Sequence, residues 1–206
     1  RVCIYCKVGF RTSDELMEHI RSKEHNRVRL YRHYLAQREN ILRNPHDLGL
    51  EISVVDADPG VFVRRGMVGV VAKPKETKKF KLLLRNIRRP EGDEASDPAN
   101  PKGIILDRFG LAKEEPVFQL EDDRGLLAGT KLRLKYNKRM KVTVTAVGDR
   151  VGIYHVPALV GFYHETHSNM ARDADGDMAH MLSHMGIEML LKVRHVTPDH
   201  RMMTEE

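Results

Sequence analysis

Cysteine is scarce in this chain: its 206 residues include two, Cys3 and Cys6. Three positions apart, they would close too small a loop for a useful structural disulfide, and a metal site in a reducing compartment explains them better. Also missing is any run approaching the roughly 18 consecutive apolar residues of a spanning helix, or a basic-then-apolar leader, so nothing directs the chain to a membrane or out of the cell. There is no Gly-x4-Gly-Lys-Ser/Thr phosphate loop, no nucleophile elbow and no His-Glu-x2-His pair, and catalysis within this stretch is not expected. No internal repeat is visible, which argues against an array. The chain opens on Arg1 rather than methionine and stops at Glu205-Glu206, so a fragment of a longer protein is expected.

What is there belongs to an ordinary globular protein: 41% hydrophobic and 31% charged residues, too apolar for wholesale disorder. The length favours a small first unit joined to one larger core of about 130–160 residues. The net charge of +6 is unevenly spread, with 10 basic and 5 acidic side chains in residues 1–43 against 4 and 7 in residues 166–206. The excess at the front can attract phosphates at long range.

That front carries the clearest motif, Cys3-x2-Cys6-x12-His19-x5-His25. Two thiolates on a tight knuckle and two imidazoles one helical turn and a little more apart form the tetrahedral sulfur and nitrogen set that Zn²⁺ prefers. Phe10 and Leu16 supply a minimal apolar core, and Thr12-Ser13-Asp14-Glu15 offers a capping box for a helix from about Ser13 through the histidines. A unit of 25 residues is too small to fold by apolar burial alone, so zinc folds it. The five-residue histidine spacing and the Ser22-Lys23-Glu24-His25 ending resemble fingers of the matrin and U-one-C type, a likeness that implies RNA, double-stranded RNA especially. Phosphate contacts are then expected from Arg11, Arg21, Lys23, Arg27, Arg29 and Arg32, with steep salt dependence and little base preference. The alternative is that these residues form a solvated helix face.

Residues 26–45 read as a linker helix stopped by Asn44-Pro45. From Glu51 the period changes to short Val-, Ile-, Leu- and Phe-rich segments at 51–56, 61–72, 80–87, 103–111, 117–120, 130–135, 140–147, 151–156 and 159–164. The expected fold is therefore mainly β, an immunoglobulin-like β-sandwich over residues 50–198 behind a ββα finger. Residues 199–206 are a tail, and mobile loops fall near 89–103 and 166–180. Alternation in 131–135 and 141–145 predicts a hairpin turning through residues 136–139, with Lys138 and Arg139 at its tip as further RNA contacts or as a plain polar turn. Residues 181–196 are expected to close the sandwich as its last strand, although 185–191 would also suit a helix.

Other chemistry is weaker. Asp173-Ala-Asp175-Gly-Asp177 fails the EF-hand pattern, because Met178 stands where glycine belongs and His184 where the closing glutamate belongs. His180 and His184 are four apart without a third ligand and read as surface histidines.

Beyond the finger, three stretches resemble the amino-terminal region of MOV-ten and Armitage-type superfamily 1 RNA helicases. They are the helix from His33 to Leu42 leading into Leu48-Gly49-Leu50-Glu51-Ile52-Ser53-Val54, the strand Phe80-Lys81-Leu82-Leu83-Leu84-Arg85-Asn86, and Val151-Gly152-Ile153-Tyr154-His155-Val156-Pro157. The resemblance implies a parent that remodels RNA with ATP, acts in RNA silencing or mRNA turnover in cytoplasmic granules, and contacts Argonaute-class proteins. The helicase core is absent here, so no catalytic residue carries over. A protein-interaction module and a DNA-binding regulator are the competing readings.

Overall fold

The computed structural model describes residues 1–43, 48–64, 66–88, 103–113, 115–165 and 183–195. Most of the loop at 89–103, the segment 166–180 with Asp173, Asp175, Asp177 and His180, and the tail 199–206 lie outside the described residues, as do the side chains of Lys23 and His184.

Among the described residues, two helices precede ten strands. The first, α1 (Ser13–Arg21), starts at the expected capping box: the Thr12 hydroxyl accepts from the Glu15 amide and the Glu15 carboxylate accepts from the Thr12 amide. It does not run through both histidines. Ser22 ends it in extended geometry, its amide donating to the His19 carbonyl. The Ser22 hydroxyl then accepts from the His25 amide, the contact a serine makes when it caps the next helix. That helix, α2 (Lys23–Arg43), carries His25 in its first turn, so the expected boundary after residue 25 falls inside a helix.

The strands are β1 (Leu50–Val55), β2 (Val61–Arg64), β3 (Met67–Ala72), β4 (Thr77–Asn86), β5 (Ile104–Leu111), β6 (Phe118–Glu121), β7 (Leu132–Leu134), β8 (Arg139–Val147), β9 (Gly152–His164) and β10 (Ser183–Val193). They form a four-stranded sheet, β1-β4-β8-β6, and a six-stranded sheet, β2-β3-β10-β9-β5-β7. Alternate side chains from both, among them Phe80, Leu82, Leu84, Val142, Val144, Val156, Phe162, Met189 and Leu191, share one buried core. The order β1-β4-β8-β6 facing β10-β9-β5 is the A-B-E-D and G-F-C arrangement of an immunoglobulin-like sandwich. The mainly β class is as expected.

Three local expectations need correction. Residues 61–72 are two antiparallel strands rather than one, because the chain reverses at Gly66, whose φ of 74° suits glycine. Residues 131–135 and 141–145 do not form a hairpin. β7 pairs with β5 and β8 with β4 and β6, so the turn between them crosses from one sheet to the other. Buried Asn86 holds that crossing: its side-chain amide donates to the Leu134 carbonyl at 2.7 Å, and its carbonyl accepts from the Asn137 amide at 2.8 Å. The segments 151–156 and 159–164 are one strand, β9, continuing through Pro157. The Pro157 carbonyl accepts from the Ala112 amide just beyond the last β5–β9 pair, Leu111 with Ala158, so the missing N–H faces the side where that ladder ends. As expected, the last segment is a strand of the sandwich, β10, and not a helix. It lies inside the larger sheet, parallel to β3 and antiparallel to β9.

α2 crosses the outer face of that larger sheet. Leu30, Tyr34 and Ile41 join the core. Gly186 admits the Tyr34 ring, since a Cβ there would lie 2.8 Å from Tyr34 Cε2 and 2.7 Å from Leu159 Cδ2. Beside it, buried Glu188 accepts from the Tyr34 hydroxyl and Arg38 Nε on one oxygen, both at 3.1 Å, and lies 2.7 Å from His155 Nε2 on the other. Burial and the Glu188 charge push the Tyr34 hydroxyl up to about 12, so it stays a donor at neutral pH.

Candidate metal centre and basic face

The knuckle that positions the thiols is short. Val2 pairs with Gly9, the Cys3 amide donates to the Val8 carbonyl, and Lys7 turns the chain at a φ of 61°. This folds Cys6 back so that its amide points at Cys3 Sγ, 3.4 Å away. Phe10 packs its ring 4.8 Å from that of His19, and Tyr5 lies 5.9 Å from the ring of His25.

All four expected ligands come together. One donor atom from each of Cys3, Cys6, His19 and His25 lies within 4.8 Å of the other three, close enough to hold one metal ion. His25 contributes Nδ1, 3.4 Å from Cys3 Sγ, 3.6 Å from Cys6 Sγ and 3.2 Å from His19 Nε2. The two histidines thus present different nitrogens, a consequence of their standing on different helices. Cys3 and His25 are buried.

The surroundings treat the ligands unequally. Burial pushes the Cys3 thiol up, but the amides of Cys6 and Tyr5, the Cys6 thiol and the Lys7 charge outweigh it and hold Cys3 below the ordinary thiol value. Burial, reinforced by Cys3, pushes the Cys6 thiol up. Burial, then His19 and Arg29, lower His25 and favour the neutral imidazole that a metal requires.

The basic residues divide into groups. Arg11, Arg21 and Arg32 are exposed and Arg29 half-buried on the finger and α2; the charge of Arg29 acts on His25 and that of Arg32 on Cys6. On α2 these two follow His25 by four and seven residues, one and two turns along the helix. Arg27 instead pairs with Glu24 at 3.0 Å. Lys138 is exposed on the crossing turn of the sandwich and Arg139 at the start of β8, on neither the finger nor α2. Sequence reasoning missed Tyr5, whose ring lies 5.7 Å from that of His33 and ties the knuckle to α2.

No protein-family model matches the chain, and no curated protein matches it. Among solved structures it is similar to the ASH / PapD-like domain 7 of human CEP192, with 11% identity over 73% of this chain and 88% of that one and a TM-score of 0.42. It is also similar to the VesB protease of Vibrio cholerae, with 9% identity over 76% and 35% and a TM-score of 0.46. A third is WR4, an MSP family member of C. elegans, with 8% identity over 69% and 97% and a TM-score of 0.36. These values carry no argument about activity. Among the described residues, no helix is long and apolar enough to cross a membrane.

Proposed function

We propose that Cys3, Cys6, His19 and His25 bind one Zn²⁺, and that the finger and α2 together present a basic face to structured or double-stranded RNA. Zinc fits the donor set. Bonds of about 2.3 Å to sulfur and 2.0–2.1 Å to nitrogen imply tetrahedral edges of about 3.6 Å for S···N and about 3.3 Å for N···N. The observed separations are 3.4 and 3.6 Å for the former and 3.2 Å for the latter. Zinc supplies no catalysis here. It orders the knuckle against α1 and α2, and its +2 charge cancels two thiolates, so the neighbouring arginines remain uncompensated by the site.

The observation that carries the reading is that Arg29 and Arg32 follow the ligand His25 by four and seven residues on α2, the helix whose Leu30, Tyr34 and Ile41 join the sandwich core. A rigid cationic face suits phosphate contacts along an A-form groove better than readout of individual bases. In the parent protein, on the resemblance described above, this module is the non-catalytic RNA-binding and partner-docking front of an ATP-dependent helicase of RNA silencing or mRNA turnover, cytoplasmic, with an Argonaute-class partner.

Competition between RNA and DNA duplexes of equal sequence, repeated across a salt series, tests the proposal. RNA preference and affinity that falls as salt rises are expected; equal affinity for both duplexes, or no binding at low salt, rejects it. A second reading rests on Val2, Ile4 and Val8, which are 62%, 71% and 46% exposed on the knuckle and would suit a protein partner. Loss of a bound protein on Ile4→Asp with RNA affinity unchanged favours that alternative.

A further inference from the structure

The two sheets part along one edge. β5 pairs with β9 on one side over most of its length, whereas on its other side β7 covers only Ile104 to Leu106. The register shifts between Leu106 and Arg108, which makes Asp107 a bulge residue. Its buried carboxylate clamps the place where pairing stops: one oxygen accepts from Lys131 Nζ at 2.9 Å and the other from Arg108 at 2.7 Å. From Arg108 to Leu111, no described strand continues on that side of β5.

Beside this open edge lies a cleft of about 950 Å³, lined by Arg27 and Leu30 of α2, by Phe118 and Leu120 of β6 and by Leu127. Arg27, Arg108, Lys113 and Lys131 border it against two acids, Asp107 and Glu115. Asp107 holds Arg108 and Lys131, Glu115 lies 3.7 Å from Lys113 and Arg27 pairs with Glu24, so the charge that attracts a ligand is the net excess of four cations over two acids in the lining. Its aromatic residues, Phe109 and Phe118, are 6% and 3% exposed, which leaves no ring face for a base to stack on and disfavours RNA as the occupant. At Gly110, in the middle of the free edge, a Cβ would meet nothing within 4 Å, so another backbone can approach.

We infer that this cleft binds an extended peptide segment of a partner protein, in which apolar and acidic residues alternate, by adding it as a strand to β5 at Arg108–Leu111. The main chain of such a peptide satisfies the open edge, its apolar side chains enter the seam above Leu120 and Leu127, and its carboxylates meet the basic border. Opposite charge at the rim favours acidic over basic sequences and quickens encounter. The inference stands whether or not the finger binds RNA.

A fluorescein-labelled decamer alternating valine and glutamate tests it by anisotropy on the whole chain, alongside a valine–lysine decamer and an RNA duplex. We expect the acidic decamer to bind at least tenfold more tightly than the basic one and to slow hydrogen exchange at the amides of Phe109 and Leu111, which point away from β9. Lys113→Glu, at an exposed position, should weaken it about fivefold or more, and Leu127→Asp should weaken it further. Lys73→Glu, which is not among the cleft residues, should leave it unchanged. Absence of binding at hundreds of micromolar decamer, equal affinity for the basic decamer, or protection elsewhere with Lys113→Glu silent overturns the inference. So does displacement of the decamer from these amides by RNA, which would assign the cleft to the nucleic acid.

Discussion

Ser22 stands between two helices and serves both, ending α1 through its amide and starting α2 through its hydroxyl. The five residues between His19 and His25 are what this break requires, and it turns Nδ1 of His25 toward the thiols. Ser22→Ala should therefore cost about 1 kcal/mol of helix stability and weaken metal binding in a cobalt-to-zinc competition, whereas Ser22→Asp should restore both; metal affinity unmoved by Ser22→Ala would separate the cap from the site. The four ligands were legible in the sequence because chelation by a knuckle and a helix fixes their spacing locally. The break was not read, although a serine three residues before His25 is a helix-start signal, because the capping box at Thr12 already accounted for a helix. Asp107 and Glu188 were not legible at all. In a strand they look like outward polar residues, and their partners Lys131 and Arg38 lie on other elements, at separations no local pattern encodes.

Among the elements, α2 joins finger and sandwich. Its apolar face seats Leu30, Tyr34 and Ile41 on the larger sheet, and the Tyr5 ring meets that of His33 at a tilt from the finger side. Gly186→Ala tests this seating. A methyl group 2.8 Å from the Tyr34 ring must displace the helix or the ring, a cost of about 1–3 kcal/mol from overpacking. Thermal unfolding should show the loss, and the resonances of His155 and Arg38, which share Glu188 with Tyr34, should move while those of the four-stranded sheet stay put. Unchanged stability would mean that α2 is not seated there. The strands themselves were readable from their composition, but their partners were not. Alternation in 131–135 and 141–145 reports which side chains face the core and says nothing about which strand lies beside them, and the buried Asn86 that sends them to different sheets sits some fifty residues earlier.

For the whole molecule, acid should act on the sandwich through Asp107 and Asp122. Burial pushes both carboxyls up, but Lys131 and Arg108 around Asp107, and the amides of Leu127, Arg124 and Leu126 around Asp122, outweigh it and hold both below the ordinary carboxylate value. Their contribution to stability is thus fully present above about pH 4, the unfolded value, and is lost as pH falls through their lower folded values. Urea unfolding at pH 7, 4 and 3, followed on strand amides, should show this decline, and Asp107→Asn should make it shallower; a decline equally steep in the variant would remove Asp107 from the account. The central claim is that a metal-ordered finger and α2 form one cationic face for RNA. Its most direct test is the slope of log affinity against log salt for an RNA duplex, measured on the zinc-loaded chain and on the Arg29→Ala/Arg32→Ala double variant. We predict binding that weakens steeply with salt and a slope reduced by about 1 for each arginine removed, with zinc content unchanged. An identical slope in the two proteins would contradict it.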